Sequence, residues 1–174
     1  MAVSLYDLSV ANYLQTLGAV EGFLAKGLSH FQESKSDPNS VLDERLHSDM
    51  LPFKFQVWAT AHHSLGAIKG VKEGVFGPPS PIPATMDYAG LQKAVTEARE
   101  ALQQVKAADV DAAQGKDVTF QLPTMKLPFT AEGFLLSFSL PNFYFHATTA
   151  YDILRRKGVP LGKRDFLGKM RLKS

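Results

Sequence analysis

The sequence predicts an all-α fold, a four-helix bundle with a small extended or hairpin segment before the last helix. Four long stretches place apolar residues at steps of three and four, which is the period of an amphipathic helix. The links between these stretches are short or stiff, as in helical bundles. The chain has 174 residues, the size of one domain with a real core. We therefore expect a single domain over residues 1–174.

The first predicted helix runs from Leu8 to Phe31. Its main apolar positions are Val10, Leu14, Leu17, Leu24, Leu28 and Phe31, with Tyr13 and Val20 beside them. A polar run over residues 33–38 marks its end. Ser40, three residues before Asp43, then resembles the N-cap of a short helix.

The second predicted helix begins near Pro52, because proline is well tolerated in a first turn, where its missing N–H is not needed. Its bulky stripe consists of Trp58, Ala61, Leu65 and Ile68. Four prolines follow between Pro78 and Pro83, and they exclude a helix there. Residues 77–84 are therefore predicted to form an extended, stiff connector.

Asp87 is placed to cap a third helix whose apolar residues keep a 3-4-3-4-3 spacing. These residues are Tyr88, Leu91, Val95, Ala98, Leu102 and Val105. Two extended stretches, residues 118–122 and 125–129, then predict a small hairpin. A fourth helix is opened by Thr130 and kinked or restarted at Pro141. It ends at Lys157, with Gly158 just beyond it.

The composition excludes several kinds of site. The chain has no cysteine, so it has no thiol nucleophile, zinc-thiolate site, iron–sulfur cluster or disulfide. It contains no glycine-rich phosphate loop, no nucleophile elbow and no H-E-x-x-H motif. No apolar run is long enough to span a membrane, and the first residues lack the basic segment of a signal peptide. We therefore expect a cytoplasmic protein with no membrane partner.

The net charge of +2 is unevenly distributed. Eight of the 19 basic residues lie between Arg155 and Lys173, where Asp165 is the only acidic residue. Tails of like charge are usually exposed to solvent, and a nucleic-acid site would also need aromatic or base-reading groups. We therefore predict a basic tail from about residue 159 and no nucleic-acid partner.

His146 is the candidate catalytic residue, because it lies in an apolar and aromatic helix where burial is expected. Asn142, four residues before it, and Thr149, three residues after it, share its helix face. A buried polar group needs a partner, so this cluster is either a hydrogen-bonded network or the floor of a pocket. The other four histidines, His30, His47, His62 and His63, are expected to be structural or solvent-facing.

The spacing around His146 does not favour a metal. A metal site in a bundle is usually built from an i, i+4 pair on one helix and a third ligand from another. Here the pair is Asn142-x-x-x-His146, with one imidazole where two are wanted. Carboxamides bind transition metals poorly compared with neutral imidazole. The residues therefore predict no metal and no other cofactor.

The same helix resembles that of the DinB-like superfamily of four-helix proteins, which carries H-x-x-x-H followed by Leu-Arg and Gly. This chain has Asn142 and His146 at the two histidine positions, and Gln56 at the position of the third ligand. It is most similar to one uncharacterised branch, a domain-of-unknown-function family found in bacteria and fungi. The matching stretches are residues 4–8, 45–46, 49–50, 52–57, 140–143 and 146–166, with Gly158-Val-Pro-Leu-Gly-Lys163 the most distinctive.

The resemblance implies an up-down-down-up bundle that often forms a homodimer. It also implies that amides replace two of the three metal ligands. Helix geometry adds one feature: Gln56 lies about 200° around its helix from Trp58. It therefore shares a face with Thr60 and His63, away from the bulky stripe.

Three functions remain open at this point. The first is a metal-independent isomerase, cyclase or lyase that uses His146 on a small apolar metabolite. Its candidate substrate-binding residues are Gln56, Asn142, Thr149, Tyr13 and Tyr144. The second is a non-catalytic ligand-binding or homodimeric assembly module. The third is a weak divalent-metal enzyme that uses His146, Gln56 and Asn142.

Overall fold

The computed structural model describes residues 3–173; residues 1 and 2, part of the segment without a signal-peptide pattern, and residue 174 lie outside this description. Nine α-helices occur in the described range. They are α1 (Leu5–Leu8), α2 (Val10–Glu33), α3 (Phe53–Ala61), α4 (Ala67–Glu73), α5 (Tyr88–Gln103), α6 (Ala107–Asp111), α7 (Ala131–Gly133), α8 (Leu140–Arg156) and α9 (Lys163–Leu167).

Two of the four long helices contain a π-helical turn. The second long helix consists of α3, a π segment over His62–Gly66, and α4. The fourth consists of α7, a π segment over Phe134–Ser139, and α8. Pro141 stands in the first turn of α8, directly after the π segment. Proline removes one helical hydrogen bond, so the irregular turn lies where the sequence predicted a kink.

The four long helices enclose one apolar core. Helices α2 and α3 lie diagonally opposite each other, and each packs against both α5 and α8. The core contains most of the predicted apolar residues of the first and third helices, including fully buried Leu17, Leu24, Leu91 and Leu102, and the half-buried Leu14, Leu28 and Val105 pack against it. Periodicity therefore identified the faces that pack.

The fold is not all-α, and this part of the prediction is corrected. A three-stranded sheet contains β1 (Val75–Phe76), β2 (Asp117–Leu122) and β3 (Met125–Thr130). The predicted hairpin is β2 with β3, which pair antiparallel. Strand β1 pairs parallel with β2 because Gly74, at φ +76°, turns the chain after α4. A two-residue strand leaves no periodic signal in the sequence.

Several predicted helix ends are confirmed. Pro52 is the N-cap of α3, the Asp87 side chain accepts a bond from the Gly90 N–H, and Gly158 has a positive φ of 89° after α8. The predicted cap at Ser40 is wrong. Asp37 instead caps a 3₁₀ turn over Pro38–Val41 through the Asn39 N–H, because the Asp-Pro pair favours that earlier turn.

The basic C-terminal segment packs partly against the bundle. Val159 and Leu161 are buried, Lys26 of α2 pairs with Asp165 of α9, and Gln15 donates to the Leu167 carbonyl. The lysines and arginines of α9 and beyond it are exposed. Within residues 3–173, no helix has both the length and the apolar character needed to cross a membrane.

Candidate functional site

His146 and Gln56 form a direct contact between α8 and α3. The distance from His146 Nδ1 to Gln56 Oε1 is 2.8 Å. The amide nitrogen of Gln56 faces away from His146, because its Nε2 donates to the Leu51 carbonyl at 2.8 Å. This second bond fixes the orientation of the amide. With Oε1 as the acceptor, the proton of His146 lies on Nδ1. The Nε2 atom of His146 therefore carries a free lone pair.

The imidazole of His146 is held in its neutral form. Partial burial, followed by the effect of the nearby His62, lowers the pKa of His146 to about 4. Burial disfavours the charged imidazolium, whose hydration would be lost. At neutral pH the ring is a hydrogen-bond acceptor at Nε2 and a donor at Nδ1.

His63 lies against His146, and this neighbour was not among the predicted site residues. The two rings are stacked, with centroids 5.5 Å apart and planes 24° apart. His63 is only 7% exposed, and its Nδ1 is buried without a hydrogen-bond partner. Burial, followed by the two neighbouring imidazoles, lowers the pKa of His63 to about 3.

A sequence signal for His63 did exist. Gln56, Thr60 and His63 lie at i, i+4 and i+7, and all three are buried on the face of the second long helix that meets α8. The prediction considered His63 only together with its neighbour His62. Its partner is the histidine of another helix.

The π segment of the second helix is tied to the π segment of the fourth. Ser139 Oγ donates to the His63 carbonyl at 2.6 Å and accepts from the Tyr13 hydroxyl at 2.8 Å. A π turn disturbs the regular i, i+4 bonding, so the Ser139 hydroxyl bonds to a carbonyl of this irregular turn. Tyr13 is fully buried, and burial raises its pKa. Tyr13 thus lies behind the histidine pair in a structural chain of hydrogen bonds.

Three other predicted site residues, Asn142, Thr149 and Tyr144, make their contacts elsewhere. Asn142 Nδ2 donates to the Phe138 carbonyl, and Thr149 Oγ1 donates to the Phe145 carbonyl, both at 2.7 Å within their own helix. Tyr144 points away from His146, into a groove with Thr16 of α2. The structure therefore brings Gln56 and His146 together but does not add Tyr144 to them.

An apolar rim surrounds His146 on the outer side. Phe55 and Phe145 approach its ring edge to face, with centroids 5.8 and 5.4 Å away. Phe145 is 55% exposed, and Leu51, whose carbonyl holds Gln56, is also exposed. Exposed apolar side chains next to a half-buried polar atom are typical of a binding surface.

The metal that the resemblance associates with this position does not fit these residues. The Oε1 atom of Gln56 is bonded to His146, and the amide nitrogens of Gln56 and Asn142 are donors. Within the described chain, no three His, Asp or Glu side chains converge as metal ligands. One imidazole and two amides are also a weak donor set for a transition metal.

Comparison with known proteins identifies relatives but no activity. The profile of a family described as domain of unknown function DUF1993 matches residues 5–167. A DinB family member protein from Shewanella denitrificans has a similar crystal structure, with 28% identity and a TM-score of 0.80. The similarity covers 98% of this chain and 95% of that one. No curated protein matches the chain.

Proposed function

The chain belongs to the DUF1993 family, a branch of the DinB-like superfamily, and from this premise we propose that it binds a small, largely apolar molecule at His146 and acts on it without a metal ion. The observation that supports this most is the fixed tautomer of His146. Gln56 Oε1 accepts a hydrogen bond from the Nδ1–H of His146, so Nε2 is available to a hydroxyl, an amine N–H or an acidic C–H of the ligand.

The lowered pKa of His146 favours one class of reaction. A base with a pKa of about 4 accepts a proton only transiently and returns it quickly. This suits an isomerisation, cyclisation or elimination, in which the proton goes back to the same molecule or leaves with a product. The Gln56 carbonyl oxygen holds the Nδ1 proton throughout and stabilises the transient imidazolium.

A non-catalytic module is the second candidate, and one observation favours it. The Gln56–His146 bond joins α3 to α8, while Asn142 and Thr149 are bonded within the fourth long helix. Such a satisfied network also serves to fix how two helices pack. In this alternative the apolar rim binds a ligand or a second copy of the chain without chemistry.

Two variants of His146 separate these proposals. If the contact is only structural, His146→Ala strands the buried Gln56 amide, and the free energy of unfolding falls by about 2–4 kcal/mol. His146→Gln then restores most of that loss. If Nε2 serves a ligand, the loss in His146→Ala stays near or below about 1 kcal/mol, because functional positions are not tuned for stability.

The measurement combines urea unfolding with a thermal-shift screen of small hydroxylated and carbonyl compounds. A compound bound at His146 raises the melting temperature of the wild type but of neither variant. His47→Ala, at an exposed position, is the control and responds like the wild type. Compounds that stabilise all four proteins equally would refute a site at His146.

A further inference from the structure

A cleft lies on the other side of the second long helix from His146. It separates that helix from α5 and has a volume of about 410 Å³. Trp58, His62 and Lys69 line one wall, and Ala94, Glu97 and Ala98 line the opposite one. Cavities of a few hundred Å³ are the usual size of small-molecule sites. His146, Gln56 and His63 do not line it, so this Trp58 cleft is separate from the site proposed above.

Both aromatic rings of the cleft are tied to the proline-rich connector. Trp58 Nε1 donates to the Ser80 carbonyl at 3.0 Å, and His62 Nε2 bonds to the Gly77 carbonyl at 2.8 Å. The His62 ring also stacks on Phe76, with centroids 4.6 Å apart. Rings held in this way lose little further freedom on binding a ligand.

These contacts define a free acceptor at His62. Because Nε2 donates its proton to Gly77, the Nδ1 atom carries a lone pair. Burial lowers the pKa of His62, so the ring is neutral. A Cβ atom at Gly66 would lie 3.1 Å from this Nδ1, so glycine leaves room beside it within the π segment. π turns occur frequently at functional sites.

One wall of the cleft carries a cationic group, Lys69. Lys69 lies on the same helix face as His62 and Gly66 and is exposed. In the described part of the chain, no carboxylate lies within 4.0 Å of its ammonium group. Glu97 across the cleft is already paired, with Lys93 at 3.6 Å. A ligand carboxylate would therefore pair with Lys69 on the first wall, away from Glu97 on the opposite wall.

We propose that the Trp58 cleft binds a small aromatic carboxylic acid that carries a ring hydroxyl or N–H group. The aromatic ring packs against Trp58, the hydroxyl or N–H donates to His62 Nδ1, and the carboxylate pairs with Lys69. This inference does not depend on the function proposed for His146.

The test uses 4-hydroxybenzoate as the probe, and its readout is specific to the cleft. Trp58 is the only tryptophan of the chain, so its fluorescence reports on this cleft alone. Titration should give a saturable change in fluorescence, with the same dissociation constant by calorimetry. Benzoate lacks the donor to His62 and phenol lacks the carboxylate, so each should bind about tenfold more weakly.

Variants assign each contact. Lys69→Met should weaken 4-hydroxybenzoate about tenfold but leave phenol unchanged. Gly66→Ala should weaken the hydroxylated probes selectively, because its methyl group lies against His62 Nδ1. This variant keeps the fold, since alanine favours a helix. Lys72→Met, at an exposed lysine of the same helix, is the matched control.

The His146→Ala protein distinguishes the two sites. It should bind 4-hydroxybenzoate as the wild type does, whatever the outcome for the His146 proposal. No saturable binding, equal binding of benzoate and 4-hydroxybenzoate, or an equal affinity in Lys69→Met would overturn the assignment of this cleft.

Discussion

Three imidazoles stand in a row where the second long helix meets α8: His62 and His63 belong to the former and His146 to the latter, and all three are neutral at neutral pH. Ring centroids are 5.5 Å apart both between His62 and His63 and between His63 and His146. Two imidazolium ions this close inside the protein would repel each other, and burial already disfavours each of them. Neutral rings pack together without that repulsion, so the arrangement is stable only where the pH keeps them unprotonated.

The first prediction is therefore a loss of stability in mild acid. His146 and His63 have pKa values of about 4 and about 3 in the folded protein, against 6.5 in the unfolded chain. Well above pH 6.5 the two histidines are neutral in both the folded and the unfolded protein, so the difference in their pKa values does not affect stability. Below it the unfolded chain binds more protons, so stability falls as the pH drops towards 4. Urea unfolding at pH 7 and pH 5 measures this loss.

The variant that isolates the effect is His63→Gln. One histidine fewer should reduce the difference in unfolding free energy between pH 7 and pH 5 by about 2 kcal/mol. His47→Gln, at an exposed position, should leave that difference as it is in the wild type. The same pH dependence in all three proteins would show that His63 is not held neutral by the fold.

The second prediction concerns metal. His146 is the single imidazole among the three residues at the ligand positions, and the Gln56 oxygen is occupied by it. Protein purified without a chelator should therefore contain well under one equivalent of zinc, nickel or iron per chain. Elemental analysis measures this content. Stoichiometric metal that disappears in His146→Ala would contradict the prediction.

At the same scale, the sequence pointed to two of the three side chains that contact one another around His146. His146 was predicted from its apolar helix, and Gln56 from the family resemblance, while helix geometry placed Gln56 away from the bulky stripe. His63 was missed because its place depends on how the second helix packs against α8. Tyr144 was predicted as a neighbour of His146 in the sequence, but positions two residues apart lie about 200° apart around a helix, and Tyr144 lines a groove with Thr16.

At the scale of elements, the two π segments support each other. The Ser139 hydroxyl connects the fourth helix to the His63 carbonyl of the second and to Tyr13 of the first. Ser139, Tyr13 and His63 are all buried, so each of these polar groups needs a hydrogen-bond partner inside the protein. The two irregular turns are therefore ordered parts of the fold that are held together by hydrogen bonds.

The third prediction tests this contact. Ser139→Ala removes both hydrogen bonds and leaves the buried Tyr13 hydroxyl without a partner. The free energy of unfolding should fall by about 2–3 kcal/mol. Ser137→Ala is the matched control, because this exposed hydroxyl bonds only within its own helix, to the Gly133 carbonyl, and its loss should have little effect. An equal loss in both variants by urea unfolding would refute the role of Ser139.

The elements differ in how well they could be predicted. The 3-4 spacing of α5 and the caps at Pro52 and Asp87 are local signals, and the structure contains them as predicted. Strand β1 arises from a contact between distant parts of the chain, because it pairs with β2, which follows it by about 40 residues. No local pattern contains such information.

At the scale of the whole molecule, one apolar surface remains outside the bundle core. Pro141, Tyr144 and Phe145 lie within about one turn of α8 and are all exposed. Phe145 also touches His146, so this α8 surface is continuous with the rim of the candidate site. Contiguous exposed apolar groups of this kind are typical of a subunit interface.

The last prediction is that the chain forms a symmetric dimer through this α8 surface. A two-fold axis would bring the same aromatic residues of both copies together and remove them from water. Phe145→Glu places a charge there and should give a folded monomer. Met125→Glu, at an exposed apolar residue of the hairpin, should remain a dimer and is the matched control. Light scattering over a wide concentration range measures the mass, and circular dichroism confirms that each variant is folded. A wild-type mass of one chain at every concentration would contradict the dimer. A Phe145→Glu protein that is still dimeric would show that the interface does not lie on this α8 surface.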